Sequence, residues 1–186
     1  FRSAPQTERK NLDDLQRLLP GDGSVVLSNV TTQRGVFTLA GPKARDVLRE
    51  VADMDLSNNA FPWLTVQTGS LGLAGDVRLL RVSALGELAW ELHHPLASQQ
   101  VLLDALLEAG AGHDLQLVGQ HALGSLRLEK SYPVIQSELH VEATALECGI
   151  GRFIDWDKTR FPGREAVLAE HQTGPKRVLC TLVVAV

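Results

Sequence analysis

Three glycines, Gly69, Gly72 and Gly75, break the run between residues 63 and 82 into short strand-like pieces. Glycine inside a strand pattern marks a turn or a bulge, and no helical pattern follows the third one. Strands at that spacing pair as hairpins, which makes the sheet they build antiparallel. The same spacing departs from the glycine fingerprint of dinucleotide-binding loops, and Gly149-Ile150-Gly151 departs from it too. No FAD, NAD or ATP loop is legible.

Helical periods surround this region. Leu12, Leu15, Leu18 and Leu19 predict a helix over 8–19 that Pro20-Gly21 ends. Ala44, Val47, Leu48 and Val51 mark the buried face of a second, opened by Gly41-Pro42. Val101, Leu102, Ala105, Leu106 and Ala109 line a third, with Gly110 as its left-handed cap. Further helices are expected at 119–130 and 164–171, and strands at 24–30, 36–40, 88–93 and 177–186. Residues 54–62 read as a loop, and 131–162 as mostly irregular. The expected class is α+β, a mainly antiparallel sheet with flanking helices, rather than a doubly wound parallel sheet. Loop chemistry at Thr173-Gly174-Pro175 sets the expected boundary between residues 1–173 and a new element at 176–186.

Charge narrows the partners. The net charge is −4 and the basic residues are scattered, which argues against a nucleic-acid footprint. No apolar run approaches the roughly 20 residues that a membrane helix needs. Cys148 and Cys180 are the only cysteines, too few for a disulfide framework or a cysteine-based zinc knuckle. A reducing compartment follows: cytoplasm, or the mitochondrial matrix in a eukaryote. A start at Phe1 and an end inside an apolar alternating run read as a fragment, a processed chain or one piece of a larger polypeptide.

Among candidate chemical groups, His93-His94 would point to opposite faces of a strand and so share no metal ion; a solvated pair is expected. Two stretches stand apart. In Arg81–Leu92, Gly86-Glu87 puts a carboxylate on a turn just before Trp90. In Gly119–Tyr132, Arg127 sits among Leu123, Leu126 and Leu128. Taken singly, a turn glutamate is more often solvated, and an arginine within an apolar helix more often joins an ion pair.

Five segments taken together resemble the aminomethyltransferase (glycine-cleavage T-protein) family. They are Gly41–Leu48, Arg81–Leu92, Ala122–Lys130, Leu146–Gly149 and Phe161–Leu168. Asp55–Pro62 and Gly174–Arg177 resemble the C-terminal folate-binding half of dimethylglycine and sarcosine dehydrogenases. The resemblance implies a tetrahydrofolate pocket. It assigns Glu87 to the pterin amino and ring N–H groups, and Arg127 to the anionic, electron-rich side of folate; Tyr132 joins them as a cofactor-binding residue. It further implies that Glu87 and Arg127 reach a single pterin-sized ligand and that no catalytic residue lies here, the family's aspartate belonging upstream. FAD is expected only on another domain or chain, with a methylated amine as substrate and a flavin domain or partner subunit as neighbour. Residues 176–186 would begin a C-terminal β-barrel.

Two other readings stay open. One is a degenerate structural or regulatory subunit of the same fold, since Ala84, Leu85, Ala89, His121, Gly124 and Arg152 replace the family's usual residues. The other is a methyltransferase using a sulfonium, ammonium or aryl ether donor.

Overall fold

The computed structural model describes residues 3, 5–135 and 137–184. The chain forms two compact units, Phe1–Gln120 and His121–Val186.

The first unit is built on a four-stranded sheet. Its strands are β1 (Arg34–Ala40), β2 (Val66–Ser70), β3 (Asp76–Leu80) and β4 (Ala89–Pro95), in the order β1-β4-β3-β2. Every neighbouring pair is antiparallel, as the glycine-broken hairpin requires. Helix α1 (Glu8–Arg17) precedes the sheet, α2 (Ala44–Val51) follows β1, and α3 (Gln99–Gly110) follows β4.

Alternation along the strands sends Leu39, Val77, Leu79, Trp90, Leu92 and His94 into the core. There they join Ala44, Val47 and Leu48 of α2 and Leu102, Leu106 and Ala109 of α3. The three-to-four-residue spacing of these helical positions makes one apolar face on each helix. Burying that face against the sheet makes the unit cohere, since apolar burial contributes roughly 25 cal/mol per Å².

The second unit holds α4 (Gln120–Glu129) and α5 (Arg164–Thr173), joined by irregular chain with one 3₁₀ turn at Gly151–Phe153. Trp156 stacks on His171 of α5, with ring centroids 4.4 Å apart. Cys148 is buried and Cys180 exposed, and both are free thiols.

Three expectations are corrected. Residues 24–30 form no strand: a strand exists only as a hydrogen-bonded pair, and these residues pair with no sheet edge. Residues 177–184 form no strand either. Its Leu179 N–H donates to the Glu147 carbonyl at 2.8 Å rather than to a sheet strand, and Ala185 and Val186 lie outside the described residues. Gly110 is not a left-handed cap, for its φ is −75° and Asp114 takes the left-handed conformation at φ 60°. Gly110 is instead a close-packing position, because a Cβ there would meet the Leu115 side chain at 2.3 Å.

The expected boundary at Thr173-Gly174-Pro175 coincides with the end of α5, whereas the two compact units meet at Gln120. Among the described residues no helix is long and apolar enough to cross a membrane.

Candidate functional site

Arg127 lies in the last turn of α4, and the chain folds back around it. Ser131 adopts φ 58°, the left-handed conformation that reverses a helix end. The Tyr132 N–H then donates to the Arg127 carbonyl at 2.9 Å, and the Ser131 N–H to that of Leu128 at 2.9 Å. This pair of bonds is a Schellman motif. Pro133 follows, which holds Tyr132 out of the helical region. The loop thereby returns over the arginine side chain. Arg127 Nη1 donates to the Tyr132 carbonyl at 3.0 Å and to Glu138 Oε2 at 2.7 Å.

Glu138 is the residue that sequence spacing missed. Its Oε2 also accepts the Val134 N–H at 3.0 Å. The Glu138 carbonyl accepts from Cys148 Sγ at 3.5 Å, and Leu139 N–H donates to the Val134 carbonyl at 3.0 Å. The Arg127 side chain is 14% exposed and that of Glu138 22%. Burial pushes the Glu138 carboxyl upward, but the Val134 N–H and Arg127 outweigh it and hold the group at about 2. Arg127 and Glu138 are eleven residues apart across irregular chain, so no helical or strand period links them.

Arg127 and Tyr132 are therefore brought together, and through the main chain of Tyr132. Glu87 lies in the first unit, half-buried on the bend that leads into β4. Gly86 makes that bend at φ 74°, a value that favours glycine.

The stretch carrying Glu87 is anchored at both ends. Arg81 Nη1 donates to the Phe61 carbonyl at 2.5 Å and Arg81 Nη2 to Asn58 Oδ1 at 2.8 Å. Arg45 of α2 donates to the same Asn58 oxygen at 2.7 Å. Both guanidinium carbons face the fully buried Trp90, 5.2 Å (Arg45) and 5.8 Å (Arg81) from its ring centroid. Arg45 Nη1 and Arg81 Nε are buried without a hydrogen-bond partner, and the indole π-face is the electron-rich surface beside them. Burial first, then the charge of Arg81, pulls the Arg45 guanidinium below its ordinary value.

The histidine pair is split as strand geometry demands, yet it is not a solvated pair. His94 is fully buried, stacks on Phe37 at 4.8 Å, and donates from Nδ1 to the Leu92 carbonyl at 3.0 Å. His93, on the other face, meets Glu91 at 3.1 Å. Among the described residues no group of three or more His, Cys, Asp or Glu is placed to hold a metal ion.

Each unit also has an open cleft. One of about 740 Å³ runs between α5 and residues 142–147, with Phe161, Val167 and Glu170 in its wall. A smaller one, about 280 Å³, lies beside Gly41, Lys43 and His113. Neither is lined by Glu87, Arg127 or Tyr132.

Residues 3–158 match the sequence model of the GCVT N-terminal domain. The chain belongs to that family of T-protein-like domains. Mouse mitochondrial sarcosine dehydrogenase is 42% identical over 153 residues, 81% of this chain and 16% of that protein. Human mitochondrial dimethylglycine dehydrogenase is 34% identical over 172 residues, 91% of this chain and 20% of that protein. The mouse mitochondrial pyruvate dehydrogenase phosphatase regulatory subunit is 30% identical over 170 residues, 91% of this chain and 19% of that protein. The chain thus spans a fifth or less of the length of these relatives. Among solved structures, a heterotetrameric sarcosine oxidase from Corynebacterium sp. U-96, in complex with pyrrole 2-carboxylate, matches with a TM-score of 0.50 and 27% identity. That match covers 63% of this chain and 56% of the other.

Proposed function

We propose that this chain is the tetrahydrofolate-binding, one-carbon-transfer region of a sarcosine or dimethylglycine dehydrogenase system. Arg127 carries the reading. Its guanidinium is held by Glu138 and the Tyr132 carbonyl through one nitrogen, Nη1. Nε and Nη2 have no acceptor among the described residues, so the donor set fits the anionic, electron-rich side of a folate.

Glu87 fits the opposite chemistry. A half-buried carboxylate accepts two adjacent N–H donors in bidentate fashion, which is what the pterin amino group and ring N–H present. Tetrahydrofolate supplies the nitrogen that accepts a one-carbon unit from an amine or iminium. The residues of this chain orient it and limit its contact with water. A methylated amine is the substrate, and FAD is held on another domain or chain; the heterotetrameric make-up of the solved relative supports the latter. Residues 176–186 begin a β-barrel domain in this reading, in which a partner strand completes their ladder.

Calorimetry of the intact protein with tetrahydrofolate tests the assignment. Glu87→Gln should weaken binding by roughly 1.5–3 kcal/mol, as for a charge-assisted hydrogen bond. Lowered stability with unaltered folate affinity would overturn it.

A second reading has its own support. A relative at 30% identity is named a regulatory subunit, and Ala84, Leu85 and Ala89 surround Glu87 where the family has other residues. In that reading the fold persists without its ligand, and intact protein binds no tetrahydrofolate at millimolar concentration.

A further inference from the structure

We propose that Glu138 is a positioning residue for folate binding: it holds the Arg127 guanidinium in its binding orientation before the ligand arrives. The inference rests on the reading of Arg127 as a folate contact.

The geometry is that of a fixed bracket. Arg127 Nη1 is shared between the Glu138 carboxylate at 2.7 Å and the Tyr132 carbonyl at 3.0 Å. Two acceptors from different directions on one nitrogen set the plane of the guanidinium, and with it the direction of Nε and Nη2. Glu138 is itself tethered, by the Val134 N–H on its carboxylate and by Cys148 Sγ on its carbonyl. The carboxylate is ionised throughout the neutral range, consistent with permanent pairing. An arginine on a flexible stem would lose its rotamer freedom when ligand binds; here it loses that freedom when the chain folds.

Electrostatics alone predicts the opposite effect. Glu138 cancels much of the positive charge of Arg127, so removing it would tighten an anion held only by Coulomb attraction. Orientation and charge therefore give opposite signs.

The test is tetrahydrofolate affinity of the intact protein by calorimetry, for Arg127→Gln, Glu138→Gln and the double variant. Positioning predicts a loss of five- to twentyfold for Glu138→Gln. Arg127→Gln should lose at least as much, and the double variant should match Arg127→Gln within twofold, because Glu138 acts only through Arg127. A merely structural glutamate would instead add its own loss to that of Arg127→Gln. If Glu138→Gln does not fold, Glu138→Asp replaces it and should show a smaller loss of the same pattern. Unchanged or tighter binding in the Glu138 variant, alongside a loss in Arg127→Gln, would overturn the positioning role and spare the Arg127 contact. Unchanged affinity in Arg127→Gln would overturn both.

Discussion

Arg81 and Arg45 donate to one and the same oxygen, Asn58 Oδ1, at 2.8 and 2.7 Å. Two like charges converge there because Trp90 offers both a π-face and Asn58 offers both an acceptor. The node ties the start of the Glu87 stretch and helix α2 to the loop at 54–62. Arg81→Lys keeps the charge but loses the planar fork that reaches Phe61 and Asn58 together. It should cost about 1.5–3 kcal/mol, the range for hydrogen bonds to a charged group. Urea unfolding of the intact protein measures it, and a midpoint equal to the parent's would refute the bracing role.

The acid limb of stability should carry the signature of Glu138. Its carboxyl lies at about 2 in the folded chain against an ordinary 4.5. The unfolded chain therefore takes up this proton at higher pH than the folded one. The stabilisation is complete above pH 4.5 and disappears as the pH falls through 2. Its size at neutral pH is on the order of 3 kcal/mol. Glu138→Gln should flatten the dependence of unfolding free energy on pH within that window. Parallel acid limbs for parent and variant would contradict the Arg127–Glu138 pairing.

Gly35 faces His94 across the β1–β4 pair. A Cβ at Gly35 would stand 2.4 Å from His94 Nε2 and 2.8 Å from Gln99 Oε1. The imidazole cannot swing away, since it is stacked on Phe37 and bonded to the Leu92 carbonyl. Gly35→Ala should destabilise by about 1–3 kcal/mol, the range for overpacking a tight core. Gly112→Ala, where a Cβ meets nothing within 4 Å, is the control and should stay within about 0.5 kcal/mol. Equal denaturation midpoints for the two variants would show that the sheet absorbs the methyl group.

The sequence by itself determined what local physics repeats. Helices α2 and α3 were legible because Val47, Leu48, Leu102 and Leu106 recur at the helical period. The antiparallel hairpin was legible because glycines cut residues 63–82 into pieces too short for a crossover. Motif order carried Glu87 and Arg127 to the family that residues 3–158 match. Tertiary structure alone decided which apolar stretches became strands. Residues 24–30 and 177–184 are richer in apolar, β-branched residues than β4, but a strand needs a partner's main chain, and composition does not encode one. It alone decided that His94 is buried and His93 is not, since strand geometry separates two neighbours without saying which faces inward. It also joined Glu138 to Arg127 and both arginines to Trp90. These charges meet their partners through space, at 2.7 to 5.8 Å, and irregular chain has no period that would reveal such a meeting in advance.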